Sequence, residues 1–448
     1  MLINLALSDI ALACGGELIG SDHIVSAVVT DTRKIVSGCV FVALKGERFD
    51  GHDYVAQAVR DGAVGVVSEQ ALDVPAYVKV LNTTLAYGAI ARLIREAFKG
   101  PVVCITGSNG KTTVKDWLAQ SLASRSVLKT RANLNNQIGL PQTLLELEAH
   151  HDVAVIEAGT SFSGEIALLA KIAVPDVVIL TNANGSHFEG LGGLEGIAKE
   201  KGELISGSSP EAAIILNSDD VYFDYWCGLA AGRTIYSFGF TKAASLYASD
   251  VSLSAEFSEA TFHYHGEALP VFIAGAGLHQ IANGMAVVLA MLVIGIDFKF
   301  AVGALATPVL VSGRLERLET KNGALLINDC YNASPTSVEA AIDVLAMQLV
   351  DETWLILGAL GELGDQQDEI HRGLGIYAKN KGVSCLICVG PIAAVAGIAF
   401  RSKGGNAIFC NTHNEAATVV RQLDKKHAIL VKGSRSAKME NVIEALNN

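Results

Sequence analysis

Residues 101–125 read PVVCITGSNGKTTVKDWLAQSLASR, in which an apolar run leads through a glycine turn into a helical pattern. The β-branched run at 101–105 predicts a buried parallel strand, and the apolar spacing after residue 113 predicts a helix. Such a turn binds anions, because its backbone N–H groups and the positive end of the helix face the same point. The stretch therefore predicts an α/β fold with a phosphate-binding loop at 106–113.

The loop also carries the side chains that a nucleoside triphosphate requires. Lys111 can reach the terminal phosphates, and the hydroxyl of Thr112 can ligate magnesium. Ile105 stands where the full motif G-x-x-x-x-G-K-[ST] has its first glycine, so only the shorter Gly107-x-x-Gly110-Lys111-Thr112 is present. A turn that merely joins strand to helix is the alternative, and the flanking strand and helix favour phosphate binding. The predicted nucleotide contacts in the loop are Gly107, Ser108, Asn109, Gly110, Lys111, Thr112 and Thr113.

Length and charge restrict the class of protein. The 448 residues predict two or three domains, and the 50% hydrophobic content suffices for several buried sheets. The formal net charge of −12 and the lack of a basic run argue against a nucleic-acid partner. Anionic ligands must therefore be bound by local sites.

Cysteine usage and hydropathy both indicate a cytoplasmic protein without membrane insertion. The eight cysteines are scattered through apolar segments, and the lone C-x-x-C of Cys385 and Cys388 has no second pair or nearby histidine to suggest a metal or redox site. The N-terminus lacks a basic leader and carries Asp9 within its apolar part. The most apolar run, 285–296, is too short to span a bilayer and predicts a buried helix.

Three regions differ in pattern. Residues 1–84 mix short apolar runs with turn residues, and residues 85–310 alternate strands and helices as βαβ units on a parallel sheet. Residues 311–448 repeat this alternation without a phosphate loop, which predicts a second parallel α/β unit and a cleft between the two.

Several polar residues outside the loop are candidates for the site. Glu157 ends the strand VAVIE, where a carboxylate can complete a magnesium shell, although it can also cap the helix that follows. His187 is a second candidate metal ligand or an ordinary loop histidine. Lys199 and Lys201 lie on a predicted helix whose charged face is more often simply solvated. Asn283, Arg314, Asp329 and Asn332 are flanked by apolar runs, so each is either a ligand of a nucleotide or a satisfied buried group.

Seven stretches in this order resemble the Mur ligases, and in particular the type that adds D-alanyl-D-alanine to the cytoplasmic peptidoglycan precursor. They are TGSNGKTTVKDWL, ANLNNQIGLPQTLL, IEAGTSFSGEI, TNANGSHFEGLGGLEGIAKEKGEL, NDCYNASPTSVEAAI, GALGELG and VKGSRSAKME. DCYNASPTS is similar to the form that this type carries, and the Asp-Asn-Pro-Arg motif of diaminopimelate-adding ligases is not found. The early DTRKIVSGCVFVALKGERFDGHDY resembles a uridine-nucleotide domain that folylpolyglutamate synthetases lack.

The resemblance implies three domains: an N-terminal α/β uridine-nucleotide domain, a central parallel-sheet ATPase domain with the phosphate loop, and a C-terminal Rossmann-like α/β domain. It also implies a reaction. The carboxylate of UDP-N-acetylmuramoyl-tripeptide attacks ATP, and the amine of D-alanyl-D-alanine then displaces phosphate from the resulting acyl phosphate. Two Mg²⁺ ions are expected, and a monomer.

The same resemblance assigns roles to individual residues. Lys111, His187, Lys201 and Arg314 are implied to be catalytic. One Mg²⁺ would be held by Thr112 and Glu157, and another by His187 with a carbamylated lysine, Lys201 in preference to Lys199. ATP would be surrounded by Asn283, Arg314, Asp329, Tyr331 and Asn332. The nucleotide-peptide substrate would meet Asn133, Asn135, Asn136, Thr32 and Arg33.

One segment departs from the family pattern, and two other functions compete. Glu157-Ala158-Gly159-Thr160-Ser161 stands where Glu-x-Gly-Ala-Asn is common, so the neighbours of the glutamate are expected to contact ligands differently. A sister ligase that adds a different amine is the first competitor. A regulatory protein that binds ATP without ligation is the second, which the metal and lysine candidates disfavour.

Overall fold

The computed structural model describes residues 2–46, 49–185, 188–308 and 311–447. Its architecture is mixed α/β with three main sheets in chain order, each mostly parallel, which confirms the fold class expected from the sequence. Three blocks of the chain build these sheets, and the cleft described below lies between the second and the third.

The first block carries a five-stranded sheet of order β2-β7-β6-β5-β4 and a two-stranded β1-β3 sheet. Its elements are β1 (Leu5–Ala6), α1 (Leu7–Cys14), β2 (Glu17–Gly20), β3 (Ile24–Val25), β4 (Val28–Val29), β5 (Val40–Val42), α2 (Val55–Arg60), β6 (Gly65–Ser68), β7 (Ala76–Lys79) and α3 (Thr83–Ala97). The predicted boundary at residue 84 falls inside α3. That helix packs both on α1 and on helices of the second block.

The second block has a nine-stranded sheet of order β16-β15-β14-β13-β12-β11-β8-β10-β9. Its strands are β8 (Val102–Thr106), β9 (Val127–Lys129), β10 (Val153–Glu157), β11 (Val177–Leu180), β12 (Ala213–Asn217), β13 (Ile235–Gly239), β14 (Leu246–Leu253), β15 (Ser258–Tyr264) and β16 (Glu267–Ile273). Its helices are α4 (Lys111–Ser121), α5 (Gly139–Leu144), α6 (Glu165–Ala173), α7 (Phe188–Leu191), α8 (Leu194–Ser206), α9 (Phe223–Leu229), α10 (Leu278–Val293) and α11 (Phe298–Ala304).

The order of this sheet explains where a ligand binds. The chain runs from β8 outward to β9 and β10 on one side and then crosses to β11 on the other. Ligands of open α/β sheets bind at such a switch point, outside the carboxyl ends of the strands. Val103 and Ile105 of β8 are fully buried, and burying each such side chain stabilises the fold by about 1.5–3 kcal/mol. The phosphate loop therefore projects from a fully buried strand inside the sheet.

The end of this sheet differs from the predicted βαβ alternation. Strands β14, β15 and β16 are antiparallel and follow one another without helices. The apolar run at 285–296 was expected to form a buried helix, and most of it belongs to the buried helix α10.

The third block has a six-stranded sheet of order β17-β18-β22-β19-β20-β21, parallel except for β17. Its elements are β17 (Glu316–Glu319), β18 (Leu325–Asp329), α12 (Pro335–Ala346), β19 (Glu352–Leu357), α13 (Gln367–Asn380), β20 (Cys385–Val389), α14 (Pro391–Ser402), β21 (Asn406–Cys410), α15 (His413–Val420), β22 (His427–Lys432) and α16 (Glu440–Asn447). Two core clusters of its own pack on either face of the sheet.

All eight cysteines are free thiols, and Cys385 and Cys388 are buried in β20. Burial raises the pKa of the Cys388 thiol to about 12, so it stays protonated and unreactive at neutral pH. Among the described residues, no helix has the length and hydropathy needed to cross a membrane.

Candidate active site

The turn between β8 and α4 requires both of its glycines. Gly107 has φ +148° and Gly110 has φ +84°, backbone conformations that side chains rarely adopt. A Cβ atom on Gly107 would lie 1.9 Å from Oγ1 of Thr181, and one on Gly110 would lie 2.5 Å from Oδ1 of Asn283. The loop therefore wraps tightly against β11 and α10, and Asn283 lies beneath it.

The backbone of the loop is held by the segment that follows β11. The Ser108 N–H donates to the carbonyl of Asn182 (2.9 Å), and the Asn109 N–H donates to Oδ1 of the same residue (2.9 Å). The Thr181 hydroxyl donates to the carbonyl of Asn109 (2.6 Å). These bonds fix the loop before any ligand arrives.

Lys111 begins α4 and folds back over the loop. Its Nζ donates to the carbonyl oxygens of Gly107 (2.5 Å) and Ser108 (3.3 Å). Burial lowers the pKa of Lys111, the negative charge of Glu157 opposes this, and the positive charge of Arg314 adds to it. An anion bound at the loop would raise the pKa of Lys111 again.

Glu157 ends β10 and is directed at the loop. Its Oε2 accepts a hydrogen bond from the Thr112 hydroxyl (3.0 Å), and its Oε1 accepts one from Nδ2 of Asn135 (2.8 Å). The N-terminus of the following helix α6 is instead capped by Glu200, whose carboxylate accepts hydrogen bonds from the N–H groups of Gly164 and Ile166. The alternative role of Glu157 as a helix cap is therefore wrong.

Lys115 was not expected at the site. Its side chain is 2% exposed, and its Nζ lies 3.9 Å from Oε2 of Glu157 and 3.4 Å from Oδ2 of Asp116. The signal was present in the sequence, because Lys115 is four residues after Lys111 and so lies on the same face of α4.

Lys199 and Lys201 have opposite environments on α8. Lys199 is solvated and pairs with Glu195 one turn earlier (3.2 Å), as expected of a charged surface face. Lys201 is 2% exposed and lines the cleft. Burial lowers the pKa of Lys201 well below its ordinary value, and the nearby charge of Lys111 lowers it further. The solvated interpretation therefore holds for Lys199 and fails for Lys201.

Arg314 adds a cation from the C-terminal block. Its guanidinium carbon lies 4.4 Å from the centre of the Tyr331 ring, a cation–π contact that orients it. Among the described residues, its buried Nε has no hydrogen-bond partner. A buried donor without a partner is costly, so an acceptor from a ligand is expected there.

These residues line a cleft of about 1130 Å³ between the second and third blocks. Its lining includes the predicted residues Ser108, Asn109, Gly110, Lys111, Thr112, Asn133, Asn135, Asn136, Glu157, Lys201, Arg314, Tyr331 and Asn332. The cleft is large enough for a nucleotide and a second substrate together.

The other predicted residues lie elsewhere. Asp329 is buried beside the cleft floor, where its carboxylate accepts from Nζ of Lys432 (2.5 Å) and the N–H of Leu315 (3.1 Å). It is thus already satisfied by protein groups, the alternative left open by the sequence. His187 falls outside the described residues. Gly107 and Thr113 of the loop, and Asn283 beside it, do not line the cleft.

Thr32 and Arg33 lie in a 3-10 helix of the first block, Thr32–Lys34, which does not line this cleft. The side chain of Arg33 is 87% exposed and bonds to the carboxylate of Asp31. That guanidinium lowers the pKa of Asp31 to about 2. The structure therefore does not bring these two residues to the phosphate loop.

Three models of known protein families match the chain in order. They are described as the Mur ligase family, catalytic domain (residues 24–99), the Mur ligase middle domain (105–291) and the Mur ligase, glutamate ligase domain (313–435). The UDP-N-acetylmuramoyl-tripeptide--D-alanyl-D-alanine ligase of Escherichia coli K12 is 36% identical over 99% of both chains. The chain belongs to the Mur ligase family.

Solved structures of Mur ligases have the same fold. A crystal structure of MurF from Acinetobacter baumannii covers 100% of both chains with a TM-score of 0.91 at 30% identity. MurF from Thermotoga maritima in complex with ADP covers 94% of this chain with a TM-score of 0.83 at 28% identity. A relative that has the fold of this Mur ligase thus binds ADP.

The segment that departs from the family pattern in this Mur ligase is held by its own side chains. The Thr160 hydroxyl donates to the carbonyl of Phe162 (2.8 Å), and Oε2 of Glu165 accepts from the N–H groups of Ser161 (2.6 Å) and Phe162 (2.9 Å). Phe162 is 64% exposed at the edge of the cleft. The exposed ring of Phe162, which follows this segment directly, therefore lines the cleft.

Sequence reasoning also missed a charged pair near the mouth of the cleft. Arg435 and Glu440 line it and form an ion pair (2.9 Å), and Oε2 of Glu440 is buried without a partner among the described residues. Both lie in VKGSRSAKME, which carried the resemblance without a role for either residue.

Proposed function

We propose that this Mur ligase joins D-alanyl-D-alanine to UDP-N-acetylmuramoyl-tripeptide at the expense of ATP. The observation that carries the proposal is that Lys111, Lys201, Arg314 and Glu157 line one cleft, where Nε of Arg314 has no partner among the described residues. Lys111, whose pKa is lowered by burial, and Arg314 face the same cleft, and both steps of such a ligation build negative charge that these cations would stabilise. The names of the relatives support the choice of substrates.

The ATP phosphates fit between the phosphate loop and Arg314. The N–H groups at the start of α4 and Nζ of Lys111 would bind the β and γ phosphates, and Nε of Arg314 would donate to the γ phosphate. Tyr331 and Asn332 would contact the nucleoside from the C-terminal block, and the ADP complex of the Thermotoga maritima relative supports a nucleotide as a ligand.

Thr112 and Glu157 fit a magnesium ion, because a hydroxyl and a carboxylate already meet there at 3.0 Å. Bound at the phosphates, Mg²⁺ would neutralise charge that otherwise repels the attacking carboxylate. We further propose that His187 and a carbamylated Lys201 hold a second ion. The lowered pKa of Lys201 supports this, because the neutral amine adds to CO₂ and releases a proton to give the carbamate.

The chemistry then proceeds in two displacements. A carboxylate oxygen of the tripeptide forms a bond to the γ phosphorus of ATP while the bond to the bridging oxygen of ADP breaks. The amine of D-alanyl-D-alanine attacks the acyl carbon, loses a proton, and expels phosphate from the tetrahedral intermediate. Lys111 and Arg314 would stabilise the phosphoryl charge in the first step.

The remaining substrate contacts are proposed from position. Asn133, Asn135 and Asn136 line the cleft beside Glu157, where they would orient the carboxylate that attacks. Thr32 and Arg33 would bind the uridine nucleotide at a separate place in the first block. The cleft is built by one chain, which supports a monomer as the active unit, working in the cytoplasm.

The direct test is phosphate release from ATP with UDP-N-acetylmuramoyl-tripeptide and D-alanyl-D-alanine supplied separately and together. Release that needs both substrates, with the amide product detected by mass, is expected. Release with a different amine would identify a sister ligase, and ATP binding without any release would identify a regulatory protein.

A further inference from the structure

The side chain of Asn109 leaves the phosphate loop and crosses to the C-terminal block. Its Oδ1 accepts a hydrogen bond from the Ser334 hydroxyl (2.8 Å), and its Nδ2 donates to Oγ1 of Thr336 (3.1 Å). We call Asn109, Ser334 and Thr336 the loop–helix bridge. Both polar atoms of one carboxamide are thus used across the cleft.

Both ends of the bridge are held firmly by their own blocks. On one side, the backbone of Asn109 is fixed by Thr181 and Asn182, as described above. On the other side, Ser334 caps α12 and accepts from the N–H of Ser337 (3.3 Å). A bond between two rigid ends reports their relative position, because neither end can follow the other without breaking it.

The bridge also lies beside the nucleotide contacts of both blocks. Asn109 lies two residues before Lys111, and Ser334 lies two residues after Asn332. A ligand that touches both sides of a cleft favours the state in which they are close, and that state in turn favours the ligand by the same factor.

We infer that Asn109 is a positioning residue, whose side chain couples the binding of ATP at the phosphate loop to docking of the C-terminal block. The inference rests on the ATP site of the proposed function. The side chain of Asn109 bonds to Ser334 and Thr336, whereas its backbone N–H bonds to Oδ1 of Asn182, so a substitution of the side chain leaves the backbone bonds of the loop in place.

Two substitutions break the bridge from opposite sides. Asn109→Ala removes both hydrogen bonds, and Thr336→Val removes one from an exposed position outside the loop. We expect the KM for ATP to rise about tenfold in Asn109→Ala and about threefold in Thr336→Val.

The double variant and a matched control test whether the two residues act through the same bond. Because the bond is shared, the KM of the double variant should equal that of Asn109→Ala within about twofold. Thr418→Val is the matched control, since that hydroxyl bonds within α15 and the residue does not line the cleft.

Hydrogen exchange of segment 334–338 separates coupling from a defect confined to the loop. In the native protein, saturating ATP should slow exchange there; in Asn109→Ala it should bind without slowing exchange, and in Thr336→Val, which keeps the Ser334 bond, it should slow exchange less than in the native protein. Equal slowing in all three proteins would overturn the inference, as would an effect of Asn109→Ala with none of Thr336→Val. Should Asn109→Ala fail to fold, Thr336→Val alone decides. Absence of ATP binding by the native protein would instead overturn the proposed function.

Discussion

At the scale of the single residue, the burial of Lys201 lowers the stability of the fold at neutral pH. Its folded pKa is lowered, so the unfolded state binds more protons and stability rises with pH between the folded pKa and the ordinary lysine pKa of 10.5. We expect Lys201→Met to remove this slope and to raise the melting temperature near pH 7.5 by about 2 °C. Turnover should fall about a hundredfold or more, because a group that stabilises charge at the reacting centre is lost. Thermal melts at pH 7.5 and 9, beside phosphate release, measure both effects.

The matched control at this scale is Lys199→Met on the same helix. Lys199 is exposed and paired only across one turn, so its loss should change stability by less than about 0.5 kcal/mol and leave turnover intact. Loss of turnover in Lys199→Met with retention in Lys201→Met would exchange the roles of the two lysines. The sequence left this choice open, because both residues lie on one helix and burial depends on what packs against it.

The sequence does not distinguish a polar residue that is buried and paired within the protein from one that binds a ligand. Asp329 and Glu157 both end parallel strands, yet Lys432 neutralises Asp329 from the neighbouring β22 while Glu157 faces the loop. That difference depends on strand order, which chain position does not reveal. The role of Lys115 was missed for a related reason. Its spacing from Lys111 on the helix is visible in the sequence, but the burial of its side chain is not.

At the scale of the element, α13 supports one wall of the cleft through a neutral histidine. Nδ1 of His371 donates to the carbonyl of Gln367 (2.7 Å), and Nε2 accepts from the N–H of Leu360 (3.2 Å), next to the cleft residue Gly361. Burial lowers the pKa of His371, so the unfolded state binds the proton more readily and stability is lost as pH falls below about 6.5. We expect the urea concentration at the midpoint of unfolding to fall from pH 7.5 to pH 5.5. The fall should be smaller in His371→Gln, whose amide can keep both hydrogen bonds. Equal pH slopes in the two proteins would show that other groups set the acid sensitivity.

Elements with a strong local signal were predicted well, and those defined by pairing were not. The loop and α4 follow from glycines and apolar spacing, and the strands of the last sheet from short β-branched runs. The antiparallel ribbon β14–β16 was read as part of the βαβ alternation, because direction of pairing is set by the partner strand. The two blocks that form the cleft were predicted, but the hydrogen bonds that join them were not.

At the scale of the whole molecule, packing indicates which part moves. The first and second blocks share one continuous core, in which α3 contributes Ile90 and Ile94, whereas the third block has cores of its own. Phe188 of the second block packs on the apolar core of the third block, but other contacts between them are polar, such as the pair of Arg317 with Glu256 (3.0 Å) and the bond from Gln348 to the carbonyl of Ala255 (3.2 Å). Polar contacts of this kind exchange for water at little net cost, which favours movement of the third block as a rigid body.

We therefore expect ATP analogue and peptide substrate together to compact the protein. Small-angle scattering should show the radius of gyration falling toward about 22 Å, the value of a compact chain of this length. Lys111→Ala should stay expanded under the same conditions, because the phosphates that touch both blocks are then held from one side only. If the unliganded protein already scatters as the compact form, ligands enter a closed cleft and product release requires its opening. The hydrogen-exchange response at α12 would then appear on release of ADP rather than on binding of ATP.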